Sequence, residues 1–159
     1  MQKKNHHIYY LHGALFLFEN GLRTCKIIRP SEGWLLNAIT AEIANNNYPL
    51  FISEGHSDNK LKAIQSNSYL RFCFRQLEAN SDKTLVIFGQ SLSKQDAHIV
   101  KIIDKHYEKV AISIRVDDFE TMGELKAEKN RISGQFKKTE LNFFDAKTLF
   151  DFEPQFLIQ

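Results

Sequence analysis

Apolar positions along this chain fall into two patterns: short runs rich in β-branched and aromatic residues, and longer stretches with an apolar residue every third or fourth place. The runs Ile8–Leu11, Pro49–Ser53, Thr84–Phe88, Val110–Arg115 and Leu141–Phe144 predict strands. Near-continuous apolar runs separated by amphipathic segments are expected of an α/β fold, with a mostly parallel sheet covered by helices on both faces. Between the first two runs, Ala14–Phe18 and Arg23–Ile28 flank Asn20-Gly21. Both residues of that pair tolerate positive φ, so a small β-hairpin insert is expected over residues 14–28.

The amphipathic stretches have readable starts. Ser31 is placed to cap a helix over Gly33–Asn45 with Leu35, Ile39 and Ile43 on its inner stripe, and Asn67 to cap one carrying Tyr69, Phe72, Cys73 and Leu77. Ser93 with Asp96 three residues later has the form of a capping box, ahead of a helix with Val100, Ile103 and Tyr107 inward. Asp117 or Asp118 is expected to start a last helix with Met122, Leu125, Lys129 and Ile132 along one side. Ser133-Gly134 marks a loop, and the tail Phe150–Gln159 is expected to pack on the body or on a partner. One domain over residues 1–159 is the expected organisation.

Composition narrows the partners. Of 159 residues, 43% are hydrophobic and 25% charged, which fits a globular protein, and the formal charge of +2 gives no electrostatic argument for nucleic acid or a membrane surface. Lys60, Lys62, Arg71 and Arg75 are read as a solvated face, and no apolar run approaches the roughly 20 residues that cross a bilayer. Lys3 and Lys4 before Ile8–Phe18 imitate a secretion signal, but His12-Gly13 interrupts the run and a turn comes after it. A cytoplasmic protein is expected. Cys25 and Cys73 lack a Cys-x-x-Cys partner and are expected to be buried thiols, and the six histidines show no metal-ligand spacing.

Ligands of open parallel sheets sit beyond the carboxyl ends of the strands, which directs attention to the residues just after each run. His12-Gly13 comes after the first, Glu54-Gly55-His56-Ser57 after the second, Gly89-Gln90-Ser91-Leu92-Ser93 after the third and Asp145 after the last. An imidazole next to a flexible glycine suits a general base near neutral pH, and a glycine at a strand end lets backbone approach a ligand. Packing offers a competing explanation at each place: a strand-to-helix turn benefits from glycine, Ser57 and Ser93 serve as caps, and a lone histidine is more often structural. Neither Gly-x-Gly-x-x-Gly nor Gly-x-x-x-x-Gly-Lys occurs in the chain.

Tyr10-Leu11-His12-Gly13, then Leu85-Val86-Ile87-Phe88-Gly89-Gln90-Ser91-Leu92-Ser93 with Asp96, then Asn142-Phe143-Phe144-Asp145-Ala146 resemble, in that order, the carboxy-terminal half of sirtuin-like domains. Pro49-Leu50-Phe51-Ile52-Ser53-Glu54-Gly55, Lys60, Ile64, Tyr69-Leu70 and the Gly-x-Ser-Leu-Ser strand end look like a bacterial family of unknown function related to sirtuin-like proteins. The resemblance spans about Ile8 to Asp145. It implies half or a variant of a Rossmann-like fold that binds NAD, with His12 as catalytic base and Gly13, Glu54, Gly89, Gln90, Ser91 and Asp96 about the nucleotide. In the related bacterial proteins, several of which act in antiphage defence, NAD is hydrolysed at the nicotinamide–ribose bond.

The family's Gly-rich phosphate loop and its Asn-Asp strand end lie upstream of the His-Gly motif, whereas eleven residues precede His12 here. The expectation is therefore a carboxy-terminal half, inactive alone, cut from a longer chain or completed by a homo-oligomer or a partner. The zinc ribbon of true sirtuins is replaced by the short hairpin, which argues against a deacetylase. The alternative is a non-catalytic interaction protein that keeps the fold and at most part of a nucleotide pocket.

Overall fold

The computed structural model describes residues 7–21, 23–28, 31, 33–53, 55–79 and 83–150. The chain divides into two compact units, Met1–Gln76 and Leu77–Gln159.

The first unit is built on an antiparallel sheet of order β2-β1-β3, with β1 at Gly13–Asn20, β2 at Arg23–Lys26 and β3 at Pro49–Phe51. The hairpin forms where Asn20-Gly21 predicts it, with Gly21 at φ +61° and Asn20 facing Arg23. The run Ile8–Leu11 is not a strand. The Gly13 N–H donates to the Tyr10 carbonyl at 3.0 Å, so the chain turns at Leu11-His12 and strand structure begins only at Gly13. Pro49–Phe51 then adds antiparallel to β1, not to a parallel sheet, with a register shift between Gly13 and Phe18.

Three helices belong to this part of the chain: α1 at Leu35–Ala44, α2 at Ser57–Ser66 and α3 at Ser68–Ala79. Ser31 does not cap α1, whose N-cap is Trp34 with no side-chain cap bond. Asn67 does act as expected at α3: its Oδ1 accepts from the Leu70 N–H at 2.9 Å, while its amide reaches Glu19 of β1. The buried stripe of α3 is Leu70, Cys73 and Phe74 with Leu77 half-buried, so Phe72 faces out at 52% exposure. The i, i+3, i+4, i+7 spacing that includes Leu70 is the one that packs. Lys60 is buried rather than solvated, and Cys25, on the edge strand β2, is exposed while Cys73 is buried. Burial, followed by the hydrogen bond and charge of Cys73, pushes the Tyr69 phenol up to about 12.

The second unit carries the parallel sheet. β4 at Thr84–Ile87, β5 at Lys109–Ile114 and β6 at Glu140–Asp145 lie in the order β4-β5-β6, all parallel. α4 at Ala97–His106 links β4 to β5, and α5 at Met122–Ser133 links β5 to β6. Strand alternation turns Val110, Ile112 and Ile114 to one face, where Val100 and Ile103 of α4, Tyr107 just after it, and Leu125 and Ile132 of α5 join them in one core. Both helices of this unit thus share a face, where the sequence pattern predicts cover on both. Two successive right-handed crossovers that step the same way across a sheet put both helices on one side. The other face carries the row Val86, Ala111 and Asn142, neighbours in register, with Val86 61% exposed.

Candidate functional site

At the carboxyl ends of β4, β5 and β6 lies a cleft of about 440 Å³. Its walls come from Phe88–Ser91 after β4, Ser113, Ile114 and Arg115 at the end of β5, Asp118 and Phe119 in the following turn, Glu128 and Ile132 of α5, and Ala146 after β6. Small-molecule sites occupy roughly 300–1,000 Å³ and favour this end of an α/β sheet.

The β4–α4 turn is held in place by the rest of the unit. The Gly89 N–H donates to Ser113 Oγ on β5 at 3.1 Å. Leu92 is 1% exposed and takes φ +48°, a conformation costing a non-glycine residue roughly 1–2 kcal/mol. Burial and hydrogen bonds hold it there. Arg131 Nη1 and Gln135 Nε2 both donate to the Leu92 carbonyl, at 3.1 and 2.9 Å, and Arg131 Nη2 donates to the Ser91 carbonyl at 2.7 Å. Glu128 grips the same guanidinium through both oxygens, each at 2.7 Å. The hydrogen bond from Arg131 holds the Glu128 carboxyl below its ordinary range and, reciprocally, raises Arg131. The carboxylate at the cleft wall is therefore ionised and matched.

The expected box between Ser93 and Asp96 does not form. Ser93 precedes a short 3-10 turn, Lys94–Asp96, without a side-chain cap bond, and the buried Asp96 carboxylate accepts from Gln90 Nε2 at 3.0 Å. The capping box lies instead at α5, where Thr121 Oγ1 accepts from the Glu124 N–H and Glu124 accepts from the Thr121 N–H, both at 3.2 Å. Asp117 and Asp118 fall in a 3-10 turn, Val116–Asp118, ahead of that helix, and Met122 points to solvent at 76% exposure.

Among the residues singled out by sequence, Gly89, Gln90 and Ser91 line the cleft, and Asp96 holds Gln90. Asp145 ends β6 next to the wall residue Ala146, its carboxylate accepting from the Lys147 N–H at 3.1 Å. His12 and Gly13 belong to the other unit, at the start of β1, where the His12 carbonyl accepts from the Ile52 N–H at 2.8 Å. A Cβ on Gly13 would lie 1.9 Å from the Leu50 carbonyl oxygen. Glu54 and residues 151–159 of the tail lie outside the described residues. The sequence pattern did not single out Ser113, Arg115, Asp118 or Glu128 as site residues. The strand-end rule that selects Gly89 also selects Arg115 and Asp118 once it is applied to β5.

Among the described residues no group of three or more His, Cys, Asp or Glu side chains is placed to hold a metal ion, and no helix is long and apolar enough to cross a membrane. Neither a curated protein nor a solved structure matches the chain. A family model described as "Domain of unknown function (DUF4917)" matches residues 1–150, and the chain belongs to that family.

Proposed function

We propose that the second unit is a nucleotide-binding module whose ligand is NAD, and that the chain is the carboxy-terminal part of a sirtuin-like NAD-processing protein. One observation carries the reading: a cleft of about 440 Å³ opens at the carboxyl ends of three parallel strands in a βαβαβ arrangement. Gly89, at φ +70° with nothing within 4 Å of where a Cβ would stand, leaves room at that mouth for a ligand to approach backbone. The size suits one nucleotide half better than a whole dinucleotide, in keeping with a half-site completed by a second copy or a partner. NAD as the ligand, His12 as the base for cleavage at the nicotinamide–ribose bond, and a setting in antiphage defence rest on the sequence resemblance.

Calorimetric titration of the chain with NAD tests the binding. Saturable binding is expected, lost in an Ala146→Phe variant that fills the cleft while keeping the circular dichroism of the parent. Heat of dilution alone at millimolar NAD sinks the reading. Nicotinamide release separates binding from turnover: cleavage that survives His12→Ala removes the base assignment and leaves the binding site standing.

The alternative, a non-catalytic interaction protein, draws on the open face of the parallel sheet. Val86 is 61% exposed there, as a surface made for a partner or a second copy would be. Light scattering that shows a monomer at all concentrations, with no NAD binding, would remove the homo-oligomer from either reading.

A further inference from the structure

Gln90 is exposed on the cleft wall, and its Nε2 donates at 3.0 Å to the carboxylate of Asp96, which is buried. Asp96 stands at the N-cap of α4, where an aspartate ordinarily accepts from the first backbone amides of the helix, yet it makes no side-chain cap bond there. Its Oδ2 is turned to Gln90 instead. A carboxylate is acceptor-only, whereas a carboxamide carries two donors on its nitrogen and an acceptor on its oxygen. Reversing the Gln90 amide would set Oε1 against Oδ2, oxygen against oxygen, so Asp96 fixes which way the amide lies. With Nε2 held inward, Oε1 is turned away from Asp96, and among the described residues no donor reaches it. The backbone on either side is fixed as well, by the Gly89 N–H on Ser113 and by Arg131 on the Ser91 and Leu92 carbonyls. The wall therefore presents one oriented acceptor from a rigid turn.

We infer that Gln90 is a specificity-determining residue of the cleft: its Oε1 accepts a hydrogen bond from an amino group of the ligand, and Asp96 is the positioning residue that keeps this acceptor turned to the ligand. The inference rests on the nucleotide-site reading above and adds to it the chemistry that the wall selects. NAD offers two such donors, the exocyclic amino group of adenine and the carboxamide nitrogen of nicotinamide. An oxygen in place of either nitrogen would put an acceptor against an acceptor and leave Oε1 without a partner.

The test is a set of calorimetric titrations of the full chain with NAD, with its analogue carrying hypoxanthine in place of adenine, and with its analogue carrying nicotinic acid in place of nicotinamide. At least one analogue is expected to bind about tenfold more weakly than NAD, the scale of one lost hydrogen bond whose acceptor is left facing another. Gln90→Met is close in length and sits at an exposed position, so the variant keeps its fold. It is expected to bring the disfavoured analogue level with NAD, and the analogue that it restores names the half of NAD lying at Gln90. Asp96→Asn is expected to shrink the same preference, because an asparagine donates as well as accepts and lets the Gln90 amide turn over. A merely structural role for Asp96 would weaken all three ligands alike. Analogues that both bind the parent as tightly as NAD, or a preference that survives Gln90→Met, overturn the inference and leave the nucleotide site intact. If none of the three binds the parent chain, the site reading itself fails, and the inference with it.

Discussion

The two units each place a positive-φ glycine beside a strand, and the two glycines do different work. Gly13, at φ +78°, begins β1 opposite Phe51 of β3, and an added Cβ would lie 1.9 Å from the Leu50 carbonyl oxygen. Gly89, at φ +70°, comes after β4 and has nothing within 4 Å of the corresponding point. Packing of the chain on itself accounts for the first. The second meets open space at the mouth of a cleft, so its backbone angle rather than any clash with a Cβ is what calls for glycine there. The same residue type after an apolar run therefore marks a close backbone approach in an antiparallel sheet and an accessible strand end in a parallel one. Sheet type, rather than the glycine, carries the functional information.

The largest effect expected from this contrast is at Gly13. Gly13→Ala forces either Leu50 or the β1 backbone to move, on top of the unfavourable φ, and should cost on the order of 3 kcal/mol by urea unfolding. A loss under about half a kilocalorie would mean that the β1–β3 pairing at Gly13 relaxes freely. Next comes Arg131→Ala, which removes the donors that Arg131 supplies to Ser91 and Leu92 and strips Glu128 of its partner. A destabilisation of about 2 kcal/mol is expected, with faster amide exchange after β4. Gly89→Ala should be milder, about 1 kcal/mol, because only the left-handed backbone is penalised. If Gly89→Ala proves as damaging as Gly13→Ala, the contrast between the two glycines collapses.

A smaller effect concerns acid. Asp104 on α4 accepts from the N–H groups of Lys137, Lys138 and Thr139, at 2.9, 2.8 and 3.1 Å, and so fixes the loop into β6. Partial burial works to raise its pKa, but these amides and the Thr139 hydroxyl outweigh it and hold the carboxyl below its ordinary 3.8. A depressed folded-state pKa means that the unfolded chain binds the proton more readily, so stability rises with pH through this window. The contribution is complete above the ordinary value and is lost as pH falls through the lower folded one. Melting temperatures between about pH 5 and pH 2 should fall less steeply for Asp104→Asn than for the parent. Equal slopes would show that the three amides do not distinguish the carboxylate.

The second unit was the more legible in sequence. Thr84–Phe88, Val110–Arg115 and Leu141–Phe144 fall within a residue or so of β4, β5 and β6, and Val100 and Ile103 of α4 are buried together with Tyr107 just after it. Local apolar runs suffice there, because parallel strands buried by their crossovers announce themselves individually. In the first unit the Asn20-Gly21 hairpin, the Asn67 cap of α3 and the strand at Pro49–Phe51 were clear, but not the sheet they build. Pro49–Phe51 reads the same whether it pairs parallel or antiparallel, since run composition does not encode its neighbour. Ser93 with Asp96 and Thr121 with Glu124 are equally good capping boxes on paper. Only the second forms, because Asp96 is drawn into the interior and bonds to Gln90 instead. Asp118 reads in sequence as a helix start, and its place on the cleft wall depends on β5 ending one residue before Arg115, a boundary the apolar run does not fix.

The most direct measurement is an amide NMR titration of the chain with NAD. The account predicts chemical-shift changes concentrated at residues 88–91, 113–119 and 128, around the cleft at the carboxyl ends of the parallel strands. Shifts confined to the antiparallel unit, or none at millimolar NAD, would contradict it.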